Sequence, residues 1–336
     1  MTVLQHIPEV AIWTDQHRAP LARQVIDLMG LRVSLIAVGG HRYGQLDSFA
    51  SDFDSDRYDD MRKMVIDRPT AFLLLISMDG VTIEDINAAL DNGTTILGLE
   101  PVTTEISGTE ITARHQIVTG DRGRFLLTPA FDASIGWTDA VDPKEVLGKV
   151  RLISARTVGA SQNGSLFTRL FDIWHLILRF TDMPQNIDAS LVGRIKRIPD
   201  GLRQASGVLA AHGRPCLGIN GCSVLVEASD TQAADQRQMY LVSDHGQLLV
   251  TDTGYQLHDK SGKLIDSLEP SPCPPDRAVL IADHWQRLLD RRVDHDFTAE
   301  SRQKTMALAC CLTCLLSART GQSESPGNLL EAHAGR

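Results

Sequence analysis

The first hundred residues alternate between short apolar runs and segments of helical periodicity, which constrains the fold more than any other feature. The apolar runs are EVAIWT, RVSLIAVGG, TAFLLLIS and TTILGLE. Between them, APLARQVIDLMG, DDMRKMVIDR and TIEDINAALDNG have helical spacing, and Thr82 with Asp85 predicts an N-cap for the third. A run as apolar as TAFLLLIS is typical of a parallel strand covered on both faces. We therefore predict an α/β fold whose N-terminal domain, residues 1–125, is a Rossmann-like doubly wound parallel sheet.

The pattern changes near residue 145 and becomes mainly strand and turn. LGKVRLISART predicts a strand, and SLFTRLFDIWHLILRFTD predicts a long helix. QMYLVSDHGQLLVTDTGYQLHDKSGKLIDS has two turn signals flanked by alternating residues, which is typical of an antiparallel meander. Helices are expected at 276–293 and 299–319, followed by a polar tail. We predict a C-terminal α+β domain, residues 126–336, with a mainly antiparallel open sheet and late helices that return toward the first domain.

Composition excludes several classes of partner. The chain has 33 Lys and Arg against 42 Asp and Glu, a net charge of −9. Such a charge provides no basic footprint for nucleic acid or for an anionic membrane. The N-terminus has no basic region leading into an apolar one, and no apolar run reaches the ~18 residues of a membrane span. We expect a cytoplasmic protein.

Three of the six cysteines lie together in MALACCLTCLLSART, as Cys310, Cys311 and Cys314. On a helix, Cys310 and Cys314 share a face, so a metal or redox site is one interpretation. The other is that they are small apolar residues of a buried helix. We favour the second and predict no metal site, because no histidine or second cysteine pair has matching spacing nearby.

The two halves together are similar to the Gfo/Idh/MocA family, the glucose-fructose oxidoreductase and inositol dehydrogenase group. FLLLISMDGVTIEDINAALDNGTTILGLEPV resembles the family's strand, helix, glycine, strand and Glu-Lys-Pro element. GKVRLISARTVGASQNGSLFTRLFDIWHLILRFTDMPQNIDASLVG resembles the beginning of its substrate domain, and ALACCLTCLLSARTGQSESP resembles a C-terminal helix of some members. The resemblance covers nearly the whole chain. It implies that NAD or NADP is bound and that a hydride moves to or from a sugar or polyol carbon.

The stretch WTDQHRAPLA lies where the resemblance places a phosphate-binding loop. A helix N-terminus holds a pyrophosphate only when its backbone approaches closely, which is why such loops are rich in glycine. The resemblance puts Thr14, Gln16 and Ala19 at the glycine positions. The Gln16 side chain would occupy pyrophosphate space, and Asp15 adds negative charge that Arg18 could offset. Thr14, Gln16 and Arg18 are therefore candidate cofactor-binding residues.

The ribose end of the expected cofactor site follows the second strand, in AVGGHRYG. An Asp or Glu at this point marks NAD, and here Gly40, His41 and Arg42 occupy it. If a cofactor binds, the 2′-phosphate of NADP fits these residues better than a free hydroxyl. The alternative is a Gly-Gly turn followed by solvated basic residues.

Glu100 takes the position of the family's catalytic lysine. The count from Gly93 to Pro101 matches the family spacing without a gap, which puts Glu100 at the Lys of the Glu-Lys-Pro element. In the family, that lysine helps proton transfer at the reacting hydroxyl, and the proline, here Pro101, is commonly cis and lies at the cofactor. The carboxylate of Glu100 could still act as a base, with a different pKa and geometry.

The family's D-x-x-x-H-x-x-D helix, which faces the nicotinamide, is also altered. The resemblance places Thr168 at the first Asp, Asp172 at the His and His175 at the final Asp. Asp172 and His175 are three residues apart, so they share a helix face and could hydrogen-bond. They are candidates for an acid–base pair in the cleft between the domains. The alternative is two locally satisfied polar groups on a mostly buried helix.

These observations leave three functions open. The family-level prediction is an oxidoreductase that transfers a hydride between NAD(P) and a sugar or polyol. The second is a non-catalytic member with a degraded cofactor site and no cofactor, acting as a scaffold or regulatory subunit. The third is a cofactor-independent acid–base enzyme that uses Glu100, Asp172 and His175 on a sugar. Family members commonly use the open C-terminal sheet for dimer contacts, so the resemblance implies a homo-oligomer through this sheet.

Overall fold

The computed structural model describes most of the chain, and each structural statement below concerns the described residues. These are residues 7–41, 45–106, 124–127, 131, 134–140, 143–193, 197–215, 221–269, 276–290 and 297–334. The chain forms two compact units, each with its own sheet. No helix in the described part of the chain is both long and apolar enough to cross a bilayer.

The first unit is built on a six-stranded sheet in which every neighbouring pair is parallel. Its strands are β1 Glu9–Trp13, β2 Ser34–Gly39, β3 Asp56–Tyr58, β4 Phe72–Leu75, β5 Thr95–Gly98 and β6 Phe125–Leu127, in the order β3-β2-β1-β4-β5-β6. Its helices are α1 Ala19–Met29, α2 Gln45–Asp52, α3 Met61–Asp67, α4 Ile83–Asp91 and, late in the sequence, α8 Arg277–Asp290. The predicted doubly wound parallel sheet is confirmed.

The side chains of β1 point alternately to the two faces of this sheet and are apolar on both, which explains why helices cover both faces. Val10 and Ile12 pack into a core with α1, α2 and α8, whereas Ala11 and Trp13 pack with α3 and α4 on the opposite face. Successive side chains of a strand point to opposite faces, so a strand that is apolar throughout needs cover on both. All four side chains are almost completely buried.

The second unit is built on an eight-stranded sheet that is antiparallel except where β10 meets β7. Its strands are β7 Val150–Ala160, β8 Asn186–Val192, β9 Val208–Arg214, β10 Ser223–Ser229, β11 Thr231–Ser243, β12 Gly246–Thr251, β13 Tyr255–Asp259 and β14 Leu264–Leu268, in the order β14-β13-β12-β11-β7-β10-β9-β8. Its helices are α5 Ile135–Asp139, α6 Pro143–Leu147, α7 Leu166–Ile177, most of α9 Phe297–Thr320, and α10 Pro326–Ala334. The predicted mainly antiparallel sheet is confirmed.

Two parts of the sequence interpretation are corrected by the structure. The polar stretch after β2 contains α2 and β3, which the apolar pattern did not reveal because β3 has only three residues and α2 is largely polar. The expected polar tail contains α10, which begins at Pro326, a residue well suited to the first turn of a helix.

Candidate functional site

The carboxyl edge of the parallel sheet brings most of the candidate cofactor residues together. Thr14 follows β1, Gly40 follows β2 and Glu100 lies just beyond β5. The strand order reverses between β1 and β4, and in open α/β sheets ligands bind in the crevice at such a reversal. This edge, called the switch edge below, is the place to test for a cofactor site.

The carboxylate of Asp15 accepts hydrogen bonds from the backbone N–H groups just before α1. Its Oδ1 accepts the backbone N–H groups of His17 at 2.7 Å and of Arg18 at 2.9 Å. Ala19, the first residue of α1, donates its N–H to the carbonyl oxygen of Asp15 at 2.9 Å, and Pro20 has no N–H to offer. The Gln16 side chain is exposed in the turn rather than inserted at the switch edge. The N–H groups of residues 17–19 at this helix start are therefore engaged by Asp15, two by its carboxylate and one by its carbonyl oxygen, rather than left for a phosphate.

Arg18 and Glu100 form a buried ion pair across the switch edge. Nη2 of Arg18 donates to Oε1 of Glu100 at 2.6 Å, and Nη1 donates to the carbonyl oxygen of Ile76 at 3.0 Å. Oε2 of Glu100 accepts the backbone N–H of Met78 at 3.3 Å. Each of the paired side chains is only 13% exposed. Glu100 is thus fixed by an arginine from the loop between β1 and α1.

The electrostatics of this cluster are dominated by carboxylates. Burial lowers the pKa of the Arg18 guanidinium, but the charge and hydrogen bond of Glu100, with the charges of Asp15 and Asp79, outweigh it and leave the pKa above its ordinary value. One permanent cation therefore lies among three acidic side chains. A diphosphate entering here would meet net negative charge.

A second set of contacts links the loops after β2 and β4. Nε2 of His41 lies 3.2 Å from the carbonyl oxygen of Gly80, and the His41 ring meets Trp13 edge to face at 5.6 Å. An added Cβ at Gly40 would collide with the carbonyl oxygen of Thr14, which is itself buried. Gly40 and His41 thus hold the loops that follow β2 and β4 against the end of β1. Arg42 lies outside the described residues.

Arg57 is a cationic residue at this edge that the sequence interpretation did not identify. Its Nη2 donates to the carbonyl oxygen of Gly40 at 2.8 Å, and its Nε lies 3.4 Å from Oδ1 of Asp47. Its Nη1 is buried and has no hydrogen-bond partner among the described residues. The sequence offered one signal for this residue, an arginine within the short strand β3. That strand could not be recognised because its neighbours in the sequence are polar.

Pro101 is buried, but its backbone differs from the expectation drawn from the family. None of the described peptide bonds is cis, so the Glu100–Pro101 bond is trans. The implied cis proline is therefore wrong. The chain leaves the sheet through a series of bends over residues 99–105.

Asp172 and His175 lie in α7 of the second unit, and both are buried. Oδ2 of Asp172 accepts the backbone N–H of Phe131 at 3.2 Å. The His175 ring stacks on Phe171 at 6.1 Å, and its Nε2 has no hydrogen-bond partner in the described part of the chain. Glu100, the third candidate catalytic residue, belongs to the first unit.

The environment of His175 keeps its imidazole neutral. Burial lowers its pKa to about 3, with the positive charges of Arg179 and Lys304 contributing in the same direction. A carboxylate partner would raise that pKa instead. At neutral pH an imidazole with such a pKa is a weak proton acceptor and carries no proton to donate as an imidazolium.

The cysteine cluster lies in α9. Cys310, Cys311 and Cys314 are fully buried, and burial raises the pKa of each thiol, that of Cys314 to about 12. They are therefore thiols rather than thiolates at neutral pH. Across the described ranges, no group of three or more His, Cys, Asp or Glu side chains is arranged to hold a metal ion.

Folds of this type imply a dinucleotide cofactor, and the switch edge does not fit its diphosphate. The Asp15 carboxylate holds the N–H groups of His17 and Arg18 just before α1, and Glu100 holds the guanidinium of Arg18. A diphosphate would have to displace two carboxylates that both carry its own sign of charge. Arg18, Asp15 and Glu100 satisfy one another rather than leaving donors for a diphosphate, whereas Nη1 of Arg57, at the end of β2, has no partner within the described residues.

Comparison with known proteins identifies the fold. No family model and no curated protein sequence matches the chain. Among solved structures, scyllo-inositol dehydrogenase from Lactobacillus casei with bound NAD(H) and scyllo-inositol is 14% identical with a TM-score of 0.73, covering 96% of this chain and 100% of that one. An Agrobacterium radiobacter oxidoreductase in complex with NAD+, L-tartaric acid and magnesium is 12% identical with a TM-score of 0.73 and the same coverage.

A third similar structure is the WlbA dehydrogenase from Bordetella pertussis in complex with NADH and UDP-GlcNAcA. It is 12% identical with a TM-score of 0.69, covering 95% of this chain and 99% of that one. The similar structures are thus NAD-type oxidoreductases matched over nearly their whole length. The resemblance to the Gfo/Idh/MocA family is confirmed at the level of the fold, for a chain of divergent sequence.

Proposed function

We propose that this protein is a dehydrogenase-fold chain that does not transfer hydride and that functions by binding, as a scaffold or regulatory subunit. The Arg18–Glu100 ion pair is the observation that supports the proposal. It joins the two positions to which the sequence resemblance assigns phosphate binding and proton transfer. Both oxygens of Glu100 already accept hydrogen bonds, so the carboxylate is poorly placed to replace a lysine. A fold is compatible with many functions, and the chemistry of the site decides among them.

A cofactor-independent acid–base enzyme receives less support. That function needs His175 to exchange protons near neutral pH, whereas burial keeps its pKa at about 3. Asp172 is engaged with the backbone of Phe131. We propose as the protein's ligand a sugar-like molecule that is bound and released unchanged. The ligands of the similar structures, scyllo-inositol, tartaric acid and UDP-GlcNAcA, all carry hydroxyl groups.

Cofactor titration tests this proposal directly. NADH and NADPH are titrated to millimolar concentration while their fluorescence is followed, and the oxidised forms are titrated by calorimetry. We expect no saturable binding, since the phosphate donors are already engaged. Saturable binding in the micromolar range, or reduction of NAD(P) with any polyol, would overturn the proposal.

Arg57 favours a second candidate, an oxidoreductase that transfers a hydride between NADP and a sugar or polyol. Its guanidinium lies at the end of β2, where dinucleotide folds bind the ribose 2′-phosphate. Its Nη1 lacks a hydrogen-bond partner within the described residues, and a phosphate oxygen is a good acceptor for it. In this function Arg18 would have to exchange Glu100 for the diphosphate.

The second candidate makes a separate prediction in the same titration. Arg57→Met should weaken NADPH binding at least tenfold and leave NADH binding nearly unchanged, because only NADPH carries the 2′-phosphate. Arg62→Met is the matched control, since Arg62 is an exposed arginine paired with Asp85. Equal loss for both nucleotides would contradict the role of Arg57.

A further inference from the structure

We infer that two carboxylates of the chain itself, Asp15 and Glu100, replace the anionic groups of a nucleotide at the switch edge. The inference rests on the proposed function and extends it, because it says what fills the place of the ligand. The switch edge is then an anion-binding site that is occupied by carboxylates of the chain itself. Charge removal should then convert it into a site for external anions.

The first anion is Asp15, at the positive end of α1. Backbone N–H groups and the helix dipole at a helix start attract negative charge. Oδ1 of Asp15 lies within hydrogen-bond distance of two such groups, those of His17 and Arg18. A phosphate oxygen bound at a helix start uses donors of the same kind.

The second anion is Glu100, on the guanidinium of Arg18. With only 13% of its side chain exposed, this guanidinium needs a counter-charge, since an unpaired buried cation is strongly disfavoured. Guanidinium groups bind carboxylates and phosphates through the same N–H groups. Glu100 provides the carboxylate, and the Met78 N–H holds its second oxygen in place.

The two carboxylates act on a single cation rather than as separate local contacts. Oδ2 of Asp15 lies 3.8 Å from Nε of Arg18, and Oε1 of Glu100 lies 2.6 Å from its Nη2. Asp15 and Glu100 are 85 residues apart in sequence, and both reach Arg18 because β1 and β5 end at the same edge of the sheet. An ordinary helix cap or an ordinary ion pair would not predict that removing both charges creates affinity for phosphates.

The test uses the double variant Asp15→Asn/Glu100→Gln and inorganic pyrophosphate as the probe. Asparagine and glutamine retain the size and the accepting oxygen of the original side chains but remove both charges. The melting temperature is measured in pyrophosphate and in chloride of equal ionic strength, and binding is confirmed by calorimetry. We expect a saturable rise in melting temperature for the double variant and none for the wild-type chain.

The control is the triple variant that adds Arg18→Met, which should lose the response to pyrophosphate. If the double variant does not fold, the single variants Asp15→Asn and Glu100→Gln are measured, and each should show a smaller rise. The inference is wrong if folded variants fail to respond, or if the wild-type chain or the triple variant responds equally. Failure of the proposed function looks different, because it appears as NADH or NADPH binding to the wild-type chain.

Discussion

At the scale of single residues, Arg18 and Glu100 determine what the switch edge can do. They are 82 positions apart, and no local pattern in the sequence relates one to the other. Counting from Gly93 identified Glu100 as unusual, but its partner became visible only when the ends of β1 and β5 were placed on one edge. The capping box of Thr82 and Asp85, in contrast, was predicted from sequence and is present, because all its atoms lie within four residues.

The ion pair predicts a characteristic pattern of stability changes. Arg18→Met leaves the buried carboxylate of Glu100 without its cation, so the free energy of unfolding should fall by about 3–5 kcal/mol. Arg18→Met/Glu100→Leu removes both charges, and its loss should be smaller than that of Arg18→Met alone. Urea denaturation measures both. Arg62→Met, at an exposed ion pair, should change stability by less than about 1 kcal/mol.

His175 predicts a dependence of stability on pH. Its pKa is about 3 in the folded protein and about 6.5 when unfolded, so below pH 6.5 the unfolded chain binds a proton that the folded chain does not. Its contribution is fully present above pH 6.5 and is lost as the pH falls toward 3. Between pH 7 and pH 5 the wild-type protein should lose about 2 kcal/mol of stability through this group.

The measurement compares urea denaturation of wild-type protein and His175→Gln at pH 7 and pH 5. The variant should lack this pH-dependent component even if its stability at pH 7 is lower. His212→Gln, at a half-buried histidine of β9, is measured alongside as a histidine substitution outside α7. The same slope in wild type and His175→Gln would contradict the assignment.

At the scale of elements, the sequence predicted those helices and strands in which burial imposes a periodic pattern of apolar residues. β4 and β5 are apolar because helices cover both faces of their sheet, and α1 and α4 carry an apolar stripe for the same reason. α2, β3 and α10 were missed because they are short and bury few side chains. The edge of β8 depends on a tertiary contact that no local pattern encodes.

That edge is covered by the chain's own C-terminal segment. The N–H of Ile187 donates to the carbonyl oxygen of Glu324 at 2.8 Å, and the N–H of Glu324 donates back at 3.0 Å. The hydroxyl of Ser317 accepts the next outward N–H, that of Ala189, at 2.9 Å. An uncovered edge strand is a template for pairing with another chain.

Removing residues 321–336 should therefore expose the edge of β8. The amide of Ile187 should then exchange with solvent at least tenfold faster, and light scattering should detect more self-association. Glu324→Ala is the control, because the bridge uses backbone atoms that this substitution retains. Unchanged exchange at Ile187 after truncation would show that the bridge does not protect the edge.

At the scale of the whole molecule, the open face of the eight-stranded sheet bears on the predicted homo-oligomer. Val224 and Val226 are buried on the side where α7 contacts β7 and β10, so Leu225 lies on the opposite face and is 43% exposed. Charged groups on that face pair within the chain, as Arg156 does with Glu227 at 3.1 Å. Charged groups that already form ion pairs within the chain cost less free energy to remove from water when a second copy covers this face.

Leu225→Arg tests whether this face joins copies of the chain. A charged side chain there would have to be buried without a partner, so the dissociation constant of the oligomer should rise at least tenfold. Light scattering coupled to gel filtration measures the mass of wild type and variant over a concentration series. Leu31→Arg is the control, because Leu31 is 92% exposed and belongs to the first unit. A monomeric wild-type chain would show that the open face is not an interface. Equal dissociation caused by Leu31→Arg would show the same, because only an interface through β10 makes the oligomer more sensitive to a charge at position 225 than to one at position 31.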